Sequence, residues 1–380
     1  MKNDNYALTD LENVKYWDYL PEYERHRASI LNIVDEVFSS GRLILGCHVE
    51  RFEKNFSSFC GATFGIGVNS CTDALFLALK TLDIGTGDEV ITVANTAVPT
   101  VAAIRAAGAT PVFSDVELDT FLMDTEQLEK LLTAKTRCIL PVHLCGQAAA
   151  MKPILQIAAK HGLFVVEDCA QAAGATYNGE KVGSIGTVGA FSFYPTKILG
   201  TFGDAGMLTT SAEKIAERLR RLRFYGMQGD YYAEEEGYNS RIDEIHAALL
   251  DFRLQWLEEE VGLRKSIARL YSEGLKGVGD IALPGTRPDR DHRYYLYTIR
   301  TCFRDELRNY LTKCGIETRI NYPFPIHLMR GYSFLGYAKG SLPVTEQLAG
   351  EILSLPMYGA LPLEHVDRVI AAINSFFSER

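Results

Sequence analysis

Lys197 is the only charged residue between Val182 and Gly203, a stretch rich in glycine, aromatic and hydroxyl side chains. An ordinary lysine sits among other charges on a solvated face. An amine in apolar, glycine-rich company is instead placed for desolvation, a lowered pKa and Schiff-base chemistry. Ser192 lies five residues before it and can reach the same ligand. A second group closes the apolar run Leu163-Phe-Val-Val-Glu-Asp168. A carboxylate at the carboxyl end of a strand can hold a proton on a heterocyclic nitrogen. It can equally be a turn or cap aspartate. A third group is Gly67-Val-Asn-Ser-Cys-Thr-Asp-Ala-Leu75, where a strand passes into a helix around Ser70, Cys71 and Thr72. The free N–H groups and positive dipole of such a turn suit an anion, and the hydroxyls of Ser70 and Thr72 add donors. A simple Ser/Thr N-cap is the competing explanation.

A phosphate cradle, a strand-end carboxylate and an apolar amine are together what pyridoxal 5′-phosphate requires. The phosphate needs N–H and O–H donors. The ring nitrogen needs a carboxylate, so that the ring can act as an electron sink. The aldehyde needs an amine.

The elements that must position these groups follow a rhythm. Gly65–Val68, Glu89–Val93, Pro111–Ser114, Cys138–Val142 and Leu163–Glu167 read as strands. Thr72–Leu82, Val98–Ala107, Thr125–Leu132 and Lys152–Lys160 read as the helices between them. Such alternation predicts βαβ units and a mostly parallel sheet, an α/β fold with ligands at the strands' carboxyl ends. Past Asn178-Gly, Val188–Phe193 and Ala205–Thr210 read as two further strands around the Lys197 loop. Ala212–Arg223 and Arg241–Glu260 read as helices. After about residue 262 a smaller α+β block is expected: a helix, strand Tyr294–Arg300, helix Arg304–Cys314, strand Glu317–Ile320, and helices at Val344–Ile352 and Leu363–Ser375. The expected division is therefore a large domain over 1–261 and a small one over 262–380.

Composition narrows the function. Lys plus Arg total 39 against 48 Asp plus Glu, a formal charge of −9. Without a basic surface, nucleic acid and anionic membranes are poor partners. The eight cysteines form no CxxC pair, which reads as reduced thiols in a cytoplasmic protein. The start, Met1-Lys-Asn-Asp-Asn-Tyr6, has no apolar core of a signal peptide. The longest uncharged runs fall short of the ~20 residues of a spanning helix. His143 and Cys145 are too few ligands for a metal site, and none is assigned. A nicotinamide enzyme would fit the βαβ rhythm, but no GxGxxG follows the first strand.

Four segments, Asn69-Ser-Cys-Thr-Asp-Ala-Leu75, Glu167-Asp-Cys-Ala-Gln171, Ser192-Phe-Tyr-Pro-Thr-Lys197 and Gly237-Tyr-Asn-Ser-Arg-Ile-Asp243, resemble the DegT/DnrJ/EryC1/StrS family of nucleotide-sugar aminotransferases. The resemblance extends from Gly41 to the C-terminal helix. It implies the type I aspartate aminotransferase fold. It implies a Schiff base on Lys197, a ring-nitrogen partner in Asp168 and a ring-hydroxyl contact from Gln171. Thr72, in the turn that also contains Ser70 and Cys71, and Ser192 would hold the phosphate. Asn239 would reach the cofactor phosphate of a neighbouring subunit, making a homodimer with shared active sites. Tyr194, Asn321 and Tyr322 would meet the sugar, although amphipathic core tyrosines would look the same in sequence. His327 would face the site or cap a loop.

The chain departs from the family pattern in four places, one of them Asn321, where relatives often have His before Tyr-Pro. Cys71 replaces a usual Gly, which a side chain tolerates only away from φ > 0. Ile198 replaces Asn after the lysine. Ala97 stands where many members stack an aromatic ring on the cofactor. The segment Asn95-Thr-Ala-Val-Pro-Thr100 resembles the branch that acts on 3-keto sugars. The implied reaction is ping-pong transamination from glutamate to a nucleotide-linked keto-deoxyhexose, a dTDP-3-keto-6-deoxyhexose aminated at C3, for amino-sugar and polysaccharide biosynthesis. The alternatives are a C4 aminotransferase, a sugar dehydratase and a silent binding protein. The retained Lys197 and the scattered cysteines weigh against a dehydratase. Intact Lys197, Asp168 and Gln171 weigh against a silent protein.

Overall fold

A computed structural model describes residues 13–229 and 231–380; the opening segment Met1–Tyr6 lies outside them. In chain order the elements are α1 (Leu20–Ser39), α2 (Cys47–Cys60), β1 (Phe64–Val68), α3 (Cys71–Thr81), β2 (Glu89–Val93), α4 (Val98–Ala106), β3 (Thr110–Ser114), α5 (Leu128–Leu131), β4 (Thr136–Ile139), α6 (Met151–His161) and β5 (Phe164–Asp168). Then come the hairpin strands β6 (Thr176–Tyr177) and β7 (Glu180–Lys181), β8 (Val188–Ser192), β9 (Gly206–Thr210), α7 (Glu213–Leu222), α8 (Glu244–Leu254) and α9 (Leu257–Leu275). The chain ends with β10 (Tyr297–Arg300), α10 (Arg304–Lys313), α11 (Pro343–Glu351), β11 (Ile352–Leu355) and α12 (Leu363–Ser378).

Seven strands form one sheet in the order β1-β9-β8-β5-β4-β2-β3. The β3, β2, β4, β5 and β8 neighbours are parallel; β9 runs antiparallel to both β8 and β1. The carboxyl ends of β1, β5 and β8 and the first residue of β9 therefore share one edge. Helices cover both faces, so most strand positions are buried, as a two-sided sheet demands. In α3 alone, Ala74, Leu75, Leu77, Ala78 and Leu79 are buried. Each leucine buried this way contributes about 1.5–3 kcal/mol.

A second, smaller core gathers Ile267, Tyr271, Tyr297, Leu307, Leu353 and Val369. Val14 joins it, with its N–H donating to Gly315 O at 2.8 Å. Helix α9 is continuous across residue 261: Leu257 and Val261 pack in the large core, Ile267 and Tyr271 in the small one. No helix among the described residues is long and apolar enough to cross a membrane.

Some elements differ from the sequence expectation. The single helix expected over Arg241–Glu260 is two helices, α8 and α9, separated at Gln255–Trp256. The first of them starts at Glu244, after Asp243 in extended backbone, and the buried Glu244 carboxylate caps another helix. Glu244 accepts from the N–H groups of Gly46 (2.6 Å), His48 (3.0 Å) and Val49 (3.0 Å) at the start of α2. The strand expected at Glu317–Ile320 is not a regular strand. Its backbone alternates partners, Glu317 N–H to Val14 O and Arg319 N–H to Ser354 O, so no ladder forms. Thr125–Leu132 opens as a tighter 3₁₀ turn, Thr125–Gln127, that leads into the short α5.

Candidate active site

Ser70 sits in extended backbone as the N-cap of α3, and its Oγ accepts from Asp73 N–H at 3.1 Å. Ala74 N–H takes the Ser70 carbonyl at 2.9 Å. The N–H groups of Cys71 and Thr72 then have no partner inside the helix and point out of its positive end. The Ser70 hydroxyl can accept from Asp73 and still donate outward. Gly206, the first residue of β9, closes on this turn. A Cβ there would lie 2.4 Å from the Ser70 carbonyl carbon and 2.7 Å from Cys71 N, so only glycine fits. Ser192, at the end of β8, pairs with Gly206 and thereby borders the same turn. Cys71 opens α3 and is absent from the residues with positive φ, so its side chain costs no left-handed strain.

Asp168 ends β5 and is buried. Its Oδ1 accepts from Ala170 N–H at 3.1 Å and its Oδ2 from the Thr100 hydroxyl at 2.8 Å. The Cys71 thiol approaches Oδ1 at 4.0 Å, which joins the α3 turn to this carboxylate. Burial pushes the Asp168 carboxyl up; the Ala170 N–H, the Thr100 hydroxyl and the Lys197 ammonium pull it back. Gln171 is held at both ends of its amide. Its Oε1 accepts from Cys145 N–H at 2.8 Å and its Nε2 donates to Tyr322 Oη at 3.0 Å.

Lys197 lies in the loop between β8 and β9, its N–H on the Tyr194 carbonyl at 2.9 Å. It is half-buried rather than enclosed: Ile198 and Leu199 take the inward positions, and the Lys197 Nζ lies 4.5 Å from the centre of the Tyr295 ring. Among the described residues no carboxylate pairs with this amine. Its charge is felt by both Asp168 and Cys71, so the amine, the carboxylate and the anion turn converge. Thr196 Oγ1 meets Tyr295 Oη at 3.1 Å and steadies that ring.

Asn321 stands next to Tyr322, and its Oδ1 accepts from Tyr16 Oη at 3.3 Å. Tyr194 is exposed at the mouth of the Lys197 loop. Asn239 is exposed; its carbonyl accepts from Asn69 Nδ2 at 3.1 Å, and its amide has no partner among the described residues. His327 is buried, its Nε2 3.1 Å from Glu346 Oε1, against the small cluster with Phe113 and Ile326. His143 has both ring nitrogens engaged, by Glu167 at 3.0 Å and Ala149 N–H at 2.9 Å, while the Cys145 thiol faces Thr298 at 3.9 Å. Thr96, Thr100, Cys145, Tyr16 and Tyr295 were not expected at the site. Thr96 and Thr100 lie in the segment noted for its alanine, and Cys145 was weighed only as a metal ligand; Tyr16 and Tyr295 carried no signal.

These groups suit pyridoxal 5′-phosphate by their donor chemistry. Outward N–H and O–H groups can take a dianion, a buried acceptor carboxylate can take a ring N–H, and an amine without a carboxylate partner can take an aldehyde. Comparison with known proteins agrees. Residues 24–374 match the DegT/DnrJ/EryC1/StrS aminotransferase family. A dTDP-3-amino-3,4,6-trideoxy-alpha-D-glucose transaminase of Micromonospora megalomicea subsp. nigra is 47% identical over 362 residues, covering 94% of this chain and 97% of the relative. The solved structure of S. venezuelae DesV in complex with ketimine intermediate superposes with a TM-score of 0.95 at 44% identity, covering 97% of this chain and 99% of that one. NtdA from Bacillus subtilis, solved with bound cofactor PMP, superposes with a TM-score of 0.87 at 30% identity, covering 93% and 82%. The chain belongs to the DegT/DnrJ/EryC1/StrS aminotransferase family and is a pyridoxal 5′-phosphate-dependent sugar aminotransferase.

Proposed function

We propose that this chain aminates C3 of a dTDP-linked 3-keto-6-deoxyhexose with glutamate as donor. The observation that carries the mechanism is the convergence of Lys197, with no carboxylate partner, on Asp168 and on the open N-terminus of α3. The names of the relatives support the sugar and the position of amination.

Pyridoxal 5′-phosphate, when bound, supplies an electron sink and carries the amino group between donor and acceptor. The N–H groups of Cys71 and Thr72 and the hydroxyls of Ser70, Thr72 and Ser192 hold its phosphate. Asp168 keeps the ring nitrogen protonated. Gln171, clamped by Cys145 and Tyr322, holds the ring hydroxyl side. The Lys197 amine would take the proton from Cα of the donor and hand it to the cofactor carbon that carries the amino group, and in the second half-reaction would take that proton back and deliver it to C3 of the sugar, acting as general base and then as acid in each half. Tyr194, Asn321 and Tyr322 orient the hexose.

The test is a panel of nucleotide-linked 3-keto and 4-keto sugars with glutamate, read by mass spectrometry. Amination of the dTDP-linked 3-keto sugar ahead of the 4-keto isomers is the expected result. Preference for a 4-keto sugar, or loss of a hydroxyl in place of amination, overturns the reading.

We infer further that the chain works as a homodimer in a reducing cytoplasm. All eight cysteines are free. Phe38, Leu43, Ile44 and Tyr225 are exposed apolar side chains, and Ile44 bridges to Asp243 near the Asn239 segment. Exposed apolar groups beside that segment support an association surface there. Asn239→Ala is then expected to weaken cofactor binding by about tenfold, the worth of one hydrogen bond to a charged group, without a change in melting temperature of the apo chain. Co-expression with Lys197→Ala chains is the decisive measurement. Mixed dimers regain one intact site only if Asn239 serves the opposite subunit. Absence of any regained activity contradicts the shared site.

A further inference from the structure

Thr100 is brought to the ring-nitrogen carboxylate across 68 positions of sequence. It lies in the first turn of α4, and both it and Thr96 are almost wholly buried. Thr100 Oγ1 is 2.8 Å from Asp168 Oδ2 and 3.0 Å from Thr96 Oγ1. The direction of this chain follows from chemistry. An ionised carboxylate only accepts, so Thr100 donates to Asp168, and Thr96 donates to Thr100. The opposite oxygen, Oδ1, is held by Ala170 N–H at 3.1 Å. With one donor on each oxygen the carboxylate cannot swing about its own axis, yet it keeps lone pairs to offer to a ring N–H. The first turn of α4 also carries the positive end of that helix's dipole, which favours the ionised form.

We propose that Thr100, supported by Thr96, is a positioning residue that fixes the Asp168 carboxylate against the cofactor's ring nitrogen and keeps it a proton acceptor. This rests on the aminotransferase reading above. Thr100 acts through Asp168 and touches no reacting atom, so its loss changes how firmly the ring nitrogen holds its proton. A charge-assisted hydrogen bond of this type corresponds to roughly a 10- to 100-fold effect.

The experiment compares wild type, Thr100→Val, Thr100→Ser and Thr96→Val as holoenzymes. The cofactor is isotopically labelled at its ring nitrogen, and NMR follows that nitrogen's protonation with pH. Stopped-flow absorbance follows the half-reaction with glutamate alone. For Thr100→Val we expect the ring nitrogen to lose its proton at lower pH and the half-reaction to slow by about 10- to 100-fold. Thr100→Ser restores both to near wild type, and Thr96→Val shifts both in the same direction by less. A Thr100→Val enzyme with wild-type nitrogen titration overturns the proposal. So does a Thr100→Ser enzyme as impaired as the valine variant, since that would point to packing of the methyl group. If wild type itself does not react with glutamate, the donor assignment fails. The nitrogen titration still decides the role of Thr100.

Discussion

Lys197→Ala loses at least about 10⁴-fold in turnover, the upper range for removal of a positioned acid–base group. The size follows from the lack of a substitute. Tyr322 and Cys71 are titratable groups of the same site, and burial pushes both well above their ordinary values. Neither is an anion at neutral pH, so neither can act as base. Asp168 is engaged by Thr100 and Ala170 and, in the proposed arrangement, serves the ring nitrogen rather than the donor's Cα. Two measurements check the assignment beside the rate. Borohydride should fix the cofactor to the peptide containing Lys197 in wild type and leave the variant unlabelled. Small primary amines added to the variant should recover part of the proton transfer, because the fold of the loop rests on Ile198 and Leu199, which remain in the core. A variant that turns over at the wild-type rate removes Lys197 from the mechanism.

Much of the sheet is legible in the sequence because each strand carries its own local pattern. Glu89–Val93 is a strand with the expected ends, buried on both faces. Asp168 is recognisable as a strand terminus for the same reason. What escapes is whatever depends on a partner distant in the chain. Glu244 looks like an ordinary helix residue until the N-terminus of α2, nearly two hundred positions earlier, is seen to need its carboxylate. Glu317–Ile320 has strand-like composition, but its neighbours Val14 and Ser354 each satisfy only part of it. The site shows the same division. Ser70, Cys71, Thr72, Ser192 and Lys197 lie in short diagnostic segments, whereas Thr100 and Tyr295 carry no local sign of the contacts they make with Asp168 and Lys197. The surroundings of Lys197 are the subtler case. A stretch free of charge predicts an enclosed amine. In the fold the apolar neighbours turn inward to the core, leaving the amine half-buried on an aromatic ring.

Asp168→Asn is expected to lower the rate of the glutamate half-reaction by about 10³-fold while leaving the apo chain at least as stable as wild type. The first effect is electrostatic. An amide is no proton acceptor, so the ring nitrogen loses the charge that holds its proton, and the developing carbanion loses its sink; a preorganised electrostatic partner of this kind is worth about 10²–10³-fold or more. The second effect has the opposite sign for a physical reason. Burial raises the Asp168 carboxyl above its ordinary value, so the folded apo chain bears a desolvation cost that grows as pH rises past the normal carboxylate range. A neutral amide of the same shape does not bear it, and its oxygen can still accept from one of the two donors, Thr100 and Ala170. Melting temperatures of both apo chains from acid to neutral pH measure this directly. The variant should gain on wild type as pH rises, and the difference should shrink toward acid, where Asp168 is itself neutral. A variant that is both slow and strongly destabilised at neutral pH would instead make Asp168 a structural residue, and the loss of rate would no longer speak for a ring-nitrogen partner.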